Sequence, residues 1–152
     1  MKRLLTTVLA ALLFVPLVSC KKEADPVRAT IDALAEAAGG RDTDAAGDLL
    51  AAAYADAEHA DRAAALLTIR RYFAAYERIS TSFSDLRIDR KPDLARVTFT
   101  ATFDGAPRKL GSLDAMLPRT AKVKFEMNLV PEEGRWKVAW AGWTLVSEGM
   151  GP

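Results

Sequence analysis

The sequence predicts an α+β domain in which three N-terminal helices pack on a four-stranded antiparallel sheet. Two observations lead to this prediction. Apolar residues recur at helical spacing from Val27 to Tyr76, and from Ser80 onward their period changes from about 3.6 residues to 2. Helices that all precede the strands are typical of an α+β order rather than of the alternating units of a parallel sheet.

The helices are predicted from their start and stop signals. The first runs from Asp25-Pro26 to Gly39-Gly40, because aspartate caps a helix start, proline is tolerated at the first position and glycine ends the helix. The second starts near Asp42 or Thr43 and continues to Ala57. The third begins after Asp61 and is the best defined, since an arc of about 120° holds its large apolar residues: Leu66, Ile69, Tyr72, Phe73 and Tyr76.

The strands are predicted from alternation. Leu86 and Ile88 indicate a first strand, and Pro92-Asp93 turns the chain. Residues 95–103 and 121–129 then alternate without error, as half-buried antiparallel strands do, with a hairpin turn at 131–134. Their inward positions are all apolar: Ala95, Val97, Phe99, Ala101 and Phe103, then Ala121, Val123, Phe125, Met127 and Leu129.

The last strand holds all three tryptophans of the chain. Strict alternation places three large residues on one face: Trp136, Val138 and Trp140. A β-bulge at Ala141-Gly142 would then return Trp143 and Leu145 to that face. The tryptophans are predicted to be core residues, and a shelf for stacking a ligand is the alternative.

The element order and the terminal segment Gly-Arg-Trp-Lys-Val-Ala-Trp at 134–140 resemble the nuclear transport factor 2 superfamily. The resemblance covers residues 26–147 and implies a cone, in which a curved sheet wraps the long helix. The alternative is a cystatin-like sheet with one principal helix, which the two extra helices disfavour.

A cone implies an interior that either holds a small apolar ligand or is filled by side chains. Six aromatic residues are predicted to border its open end: Tyr54, Tyr72, Tyr76, Phe99, Phe125 and Trp140. The segment 110–118 is longer than a hairpin needs and carries four large apolar residues. We therefore expect it to cover the pocket or to meet another protein, with packing onto its own domain as the alternative.

Enzymes of the superfamily, such as ketosteroid isomerases and polyketide cyclases, place an acid or a histidine inside the cone. The inward strand positions of this chain hold neither, and the sole histidine, His59, falls in a polar connection. No catalytic residue, cofactor or metal site is predicted, because one isolated histidine supplies no ligand cluster. The predicted function is a non-catalytic binding or interaction module. The alternatives are an isomerase or cyclase, and a structural subunit that dimerises through the Thr/Lys face of its sheet.

The N-terminus has a basic start at residues 1–3, an apolar run from Leu4 to Val18, and the segment Leu17-Val18-Ser19-Cys20. Fifteen apolar residues are fewer than the roughly 20 that cross a bilayer. The pattern resembles a bacterial lipoprotein signal peptide with its lipobox. That resemblance implies cleavage before Cys20, a diacylglyceryl group on its thiol, and a membrane as partner.

The predicted organisation is a signal peptide at 1–19, the lipidated cysteine and tether at 20–25, one domain at 26–147 and a tail at 148–152. The 133 residues that follow cleavage fit one domain and have 19 basic and 20 acidic side chains, so nucleic acid is not an expected partner. Lys21 after the cysteine indicates the outer membrane, facing the periplasm, where the organism has one. A homodimer or an envelope protein is the further partner expected.

Overall fold

The computed structural model describes residues 24–109, 111 and 116–146. The predicted signal peptide, Cys20, the start of the tether, most of the segment 110–115 and the tail lie outside the described residues. Three helices precede four strands, which confirms the α+β class: α1 (Pro26–Gly40), α2 (Thr43–Asp48), α3 (Arg62–Ala75), β1 (Tyr76–Arg90), β2 (Ala95–Pro107), β3 (Thr120–Glu132) and β4 (Arg135–Leu145). In these ranges no helix is long and apolar enough to cross a bilayer.

Helix α1 begins as predicted. The Asp25 carboxylate accepts a hydrogen bond from the Val27 backbone N–H at 2.8 Å, which satisfies one of the unpaired N–H groups of the first turn. The helix ends at Gly40, and Arg41 follows in the left-handed conformation with φ 54°. Val27 and Ile31 are almost fully buried and bring α1 onto the sheet.

The predicted length of the second helix is wrong, because α2 ends at Asp48 rather than near Ala57. The chain then pairs with the free edge of β4. The Ala51 N–H donates to the Val138 carbonyl and the Val138 N–H donates to the Leu49 carbonyl, each at 2.8 Å. These bonds to a distant strand replace the next helical turn, so a tertiary contact overrides the local periodicity.

The predicted extent of the third helix through Tyr76 is also wrong. Helix α3 ends at Ala75, Tyr76 is already the first residue of β1, and Ala65 is the helix's one buried residue. Tyr72 is 61% exposed. The sheet therefore packs on α1 instead of α3, because an apolar arc predicts a helix but not which element is available to cover it.

The four strands form one antiparallel sheet in the order β1-β2-β3-β4. The β2–β3 register is continuous from Ala95 opposite Leu129 to Asp104 opposite Thr120, which confirms the predicted alternation. Strand β1 has a register shift between Ser84 and Arg87, where Asp85 has a φ of 58°. A bulge bends its strand, so this shift curves β1 around α1.

The last hairpin confirms the predicted turn. Glu133 and Gly134 have φ values of 53° and 79°, and β4 starts at the next residue. Two successive left-handed residues are typical of the tight hairpin turn whose twist matches that of the flanking strands.

The predicted bulge in β4 exists, but its predicted position is wrong. Leu129 lies opposite Val138 and Asn128 lies opposite Trp140, so the extra residue is Ala139. Val138 keeps its inward position opposite Leu129, and the irregularity follows it directly.

This earlier bulge reverses the prediction for Trp140, which joins Asn128 on the outer face of the sheet. Its indole lies over Gly142, where an added Cβ would come within 2.6 Å of Trp140 Cη2. Trp143 and Leu145 return to the inner face as predicted, since they lie opposite the inward residues Phe125 and Val123.

Candidate functional site

The inner face of the sheet has two different ends. At the end of the hairpin turns, which we call the covered end, α1 lies on the strands and five side chains are less than 2% exposed: Val27, Ile31, Val97, Leu129 and Val138. At the other end, where β4 finishes, the described residues of the inner face are more exposed, and we call it the open end. This open end is formed by Phe103, Phe125, Trp143 and Leu145, of which Trp143 is 37% and Leu145 72% exposed.

Aromatic rings connect the two ends. The Phe99 and Phe125 rings are stacked with their centroids 5.3 Å apart, and Phe103 meets Phe125 edge to face at 6.2 Å. Phe125 in turn lies 6.5 Å from Trp143. Such separations are typical of favourable aromatic pairs. The series therefore runs from the buried core to an exposed indole.

Four of the six residues predicted to border the pocket are inside the domain. Tyr54, Tyr76 and Phe99 are buried and Phe125 is half-buried. The Tyr76 hydroxyl donates to the Pro118 carbonyl at 2.9 Å. The other two, Tyr72 and Trp140, do not join them, because Tyr72 projects into solvent from α3 and Trp140 lies on the outer face. The tryptophan at the open end is Trp143.

A polar cluster lies in the connection between α2 and α3 and is centred on Asp56, whose side chain is fully buried. Its carboxylate accepts from the backbone N–H groups of Glu58 at 2.8 Å and His59 at 2.7 Å, and from the Tyr54 hydroxyl at 2.5 Å. Burial by itself would raise the pKa of Asp56. The hydrogen bonds from Tyr54, His59 and the backbone outweigh burial and lower the pKa below its ordinary value.

Tyr54 responds in the opposite direction. Burial, and then the hydrogen bond to the Asp56 carboxylate, raise the pKa of the Tyr54 hydroxyl well above its ordinary value. Tyr54 therefore stays protonated and remains a hydrogen-bond donor to Asp56 across the neutral range.

The His59 imidazole extends the cluster to the open end. Its Nδ1 lies 3.0 Å from both Asp56 carboxylate oxygens, and its Nε2 lies 3.0 Å from the Thr68 hydroxyl oxygen on α3. An ionised carboxylate only accepts hydrogen bonds, so the neutral ring is assigned the tautomer with the proton on Nδ1. The ring centroid is 6.3 Å from that of Trp143. A hydroxyl, an imidazole and a carboxylate thus stand in series beside the exposed indole.

This cluster was not predicted, because His59 was expected to be isolated. The spacing Asp56-x-x-His59 in a polar connection was the available signal, since an aspartate often binds backbone N–H groups two and three residues later. Nothing in the local sequence indicates Thr68 or Trp143 as its neighbours, because the packing of α3 and the register of β4 bring them there.

Two open clefts lie elsewhere, and neither is lined by Trp143 or His59. One of about 530 Å³ surrounds Lys137, and one of about 420 Å³ lies between α1 and α2. The Lys137 ammonium is paired with Glu133 at 2.5 Å and Glu132 at 3.3 Å, and Glu132 also accepts from the Ala52 N–H. These polar groups are satisfied by each other. In the part of the chain described, no group of three His, Cys, Asp or Glu side chains is placed to hold a metal ion.

The helix order, the single antiparallel sheet and the open inner face define a nuclear-transport-factor-2-like fold. No protein-family model matches the sequence, and no curated protein is significantly similar to it.

Solved structures resemble the domain closely in shape and weakly in sequence. A candidate scytalone dehydratase from Novosphingobium aromaticivorans has a TM-score of 0.70 and 13% identity over 80% of this chain and 82% of its own. A candidate dehydratase of the NTF2-like family from Streptomyces avermitilis has a TM-score of 0.68 and 17% identity over 80% and 94%. Bdellovibrio bacteriovorus Bd1075 has a TM-score of 0.65 and 9% identity over 79% of this chain, which spans 40% of the Bd1075 chain. At these identities the likeness establishes the fold.

Proposed function

We propose that the domain binds a small, flat, apolar molecule at the open end of its inner face. The observation that supports this proposal most directly is the exposure of Trp143, beside the still more exposed Leu145, on a face whose aromatic residues continue into the buried core. An exposed indole that continues a buried aromatic series is a surface that a ligand can bury with little rearrangement of the protein.

The packing of the remaining inner face restricts where such a ligand can lie. Leu129 and Val138 are closed off by Val27 and Ile31 of α1. Phe125 is only half-buried and Trp143 is 37% exposed, so among the described residues they are covered less completely. Binding would therefore remove apolar area from water only at the open end, at roughly 25 cal/mol for each Å² buried.

A matched pair of tryptophan variants tests this proposal. The probe is N-phenyl-1-naphthylamine, a neutral aromatic dye whose emission rises in apolar sites, titrated into the purified full chain. Trp143→Ala should weaken dye binding by about tenfold, which corresponds to about 1.4 kcal/mol. The control is Trp140→Ala, which removes the same side chain from the outer face and should leave the dissociation constant unchanged. Equal affinities in the two variants would contradict binding at the open end.

We further propose that the domain is held at a membrane by lipid on Cys20. Asp25 lies beside Arg90 at the covered end, with Arg90 Nη1 3.4 Å from the carboxylate. Five residues, 21–25, separate Cys20 from the start of α1 at Pro26, and they extend to about 17 Å at most. An anchor at this position leaves the open end directed away from the bilayer and accessible to a ligand in the aqueous compartment.

The anchor is tested by intact mass and detergent partitioning. Cys20→Ala should leave an uncleaved chain without lipid, whereas the control Ser19→Ala keeps a small residue before the cysteine and should be processed normally. A processed, detergent-partitioning Cys20→Ala protein would contradict the proposal. Lys21→Asp tests the outer-membrane address, since we expect it to retain the protein in the inner membrane.

The second candidate function is acid–base catalysis, and the observation that favours it is the series Asp56, His59 and Thr68 beside the open end. Asp56 holds the imidazole by its Nδ1–H and leaves Nε2 as the basic nitrogen. A ligand hydroxyl or an acidic C–H that displaced the Thr68 hydroxyl could give its proton to Nε2. This arrangement suits an isomerase, cyclase or dehydratase, in which a proton is removed next to a carbonyl group.

Proton abstraction can be tested without knowing the substrate. The deuterium exchange of the α-protons of an aryl ketone such as α-tetralone is followed by NMR with the full chain in D₂O. The catalytic candidate predicts exchange that His59→Gln slows by about 10²–10⁴-fold, the usual contribution of a general base. Glu58→Gln, a neighbouring charge change, is the control. Exchange that is equal in wild type and His59→Gln would favour the non-catalytic function.

A further inference from the structure

The open end is surrounded by positive charge. Five exposed cationic side chains lie near the ends of α3 and β2 and just before β3, and we call them the basic rim: Arg70, Arg71, Arg108, Lys109 and Arg119. Two carboxylates, Glu77 and Asp104, lie at the same edge. The full chain has a formal charge of only +1, so cationic side chains are concentrated at this end of the domain.

Backbone contacts bring these cations to one edge. The Arg108 N–H donates to the carbonyl of Ala75, the last residue of α3, at 2.9 Å. The Gly105 N–H donates to the Arg119 carbonyl at 2.7 Å, and Arg78, near the start of β1, pairs with Ala106. The ends of three strands and one helix therefore meet at this edge.

Among the described residues, no cation of the basic rim forms an ion pair with a carboxylate. The ion pairs found among the described residues join other side chains, such as Arg90 with Asp25 and Lys137 with Glu132 and Glu133. Asp104 instead accepts a hydrogen bond from the Thr120 hydroxyl at 2.9 Å. A group of like charges beside low-dielectric apolar surface produces a positive potential that raises the local concentration of anions.

Apolar side chains lie at the same edge as these cations. The Val146 N–H donates to the carbonyl of Lys122, close to the start of β3, at 2.8 Å, and Leu145, opposite Val123, is the residue before it. Both Leu145 and Val146 are exposed, as is Tyr72, four residues before Tyr76. A molecule at the open end would thus meet apolar surface inside and cationic groups at its border.

We infer that the ligand of the open end is an anionic amphiphile: an aromatic or aliphatic body stacked on Phe125 and Trp143, with a carboxylate, phosphate or sulfonate at the basic rim. This inference rests on the proposed binding function and adds the charge of the ligand. Charge complementarity supports it, since a neutral ligand would make no use of unpaired cations at the border of its site.

Two dyes with the same rings separate charge from stacking. 1-Anilinonaphthalene-8-sulfonate is N-phenyl-1-naphthylamine with an added sulfonate, so the ratio of their dissociation constants for the full chain reports the anion preference alone. We expect the anionic dye to bind about tenfold more tightly at low ionic strength. The preference should shrink toward unity in about 0.5 M salt, where the Debye length is only a few ångströms.

Charge-reversal variants locate the preference. Arg108→Glu with Arg119→Glu changes the basic rim and should remove the preference without altering the affinity for the neutral dye. The matched control, Arg87→Glu with Lys91→Glu, makes the same change in net charge near the β1–β2 hairpin and should keep the preference. Circular dichroism and thermal melts establish that the variants are folded.

The possible outcomes differ for the two proposals. Neutral-dye binding at Trp143 without an anion preference, or an equal loss in both double variants, overturns the inference and leaves the binding function intact. No binding of either dye overturns the binding function as well. Capture by anionic phospholipid vesicles, without binding of the monomeric anionic dye, would assign the basic rim to a membrane surface and also overturns the inference.

Discussion

The covered end and the open end belong to the same face of the same strands, and they differ in what lies above them. Leu129 and Leu145 are both inward leucines on neighbouring strands, yet Leu129 is fully buried and Leu145 is 72% exposed. Helix α1 packs over Leu129 and does not cover Leu145. An alternating apolar strand is therefore compatible with a core at one end and a binding surface at the other, and the covering helix decides between them.

Truncation of the two leucines should affect the stability of the domain very differently. Leu129→Ala should lower the free energy of unfolding by about 2–5 kcal/mol, because it leaves a cavity under α1. Leu145→Ala should change it by less than about 0.5 kcal/mol, as is typical of surface positions. Denaturant midpoints measure both. Similar losses would mean that the open end is covered in solution.

The polar cluster, which lies between the covered end and the open end, should also contribute to the stability of the domain. Asp56→Ala should destabilise the domain by about 3 kcal/mol, because the Tyr54 hydroxyl and two backbone N–H groups lose their acceptor in a buried place. Glu58→Ala, which removes an exposed carboxylate from the same connection, is the matched control and should have little effect on the denaturant midpoint. A small loss for Asp56→Ala would show that water replaces the carboxylate.

The open end includes one tightly packed position, Gly105, and a substitution there should destabilise the domain. A Cβ at Gly105 would lie 2.6 Å from Tyr76 Cδ1, and the Tyr76 ring is itself buried. We expect Gly105→Ala to cost about 1–3 kcal/mol through overpacking. The control is Gly39→Ala, where the nearest atom is 3.7 Å away and helix propensity favours alanine by up to about 1 kcal/mol. Destabilisation of the same size in both would exclude a specific clash with Tyr76.

The smallest expected effect is on the acid stability. The folded-state pKa of Asp56 lies below its ordinary value of 3.8, so the folded state binds a proton less readily than the unfolded state. The contribution of Asp56 is present above about pH 4 and is lost as the pH falls through the lowered pKa. Unfolding curves between pH 6 and 2 for wild type and Asp56→Asn measure it. The variant should lose less stability over that range, and parallel curves would contradict the shift.

Much of the fold could be predicted from local patterns. Three features depend on residues close in sequence: the Asp25-Pro26 start of α1, the alternation in β2 and β3, and the turn at Glu133-Gly134. The backbone preferences of such residues do not depend on tertiary contacts. The same is true of the return of Trp143 to the inner face, since one extra residue in β4 restores the alternation wherever it is inserted.

The site was less predictable, because its members are brought together from distant parts of the chain. Phe99 and Phe125 were expected at the open end from strand phase, and Phe125 lies there. Trp140 was assigned to the wrong face, since the alternation in β4 does not distinguish a bulge at Ala139 from one at Ala141. His59 was expected to be isolated, because strand phase says nothing about a side chain that reaches the open end from a loop.

By itself the sequence determined the α+β order, the helix starts, the tight hairpin and the apolar inner face, because caps, turns and periodicity act over a few residues. Only the tertiary structure decided that α1 rather than α3 covers the sheet, that residues 49–51 pair with Val138 and end α2 early, and that His59 stands beside Trp143. These outcomes depend on which surfaces compete for the same apolar face. The outcome depends on packing between segments far apart in the chain, so local backbone preferences cannot predict it.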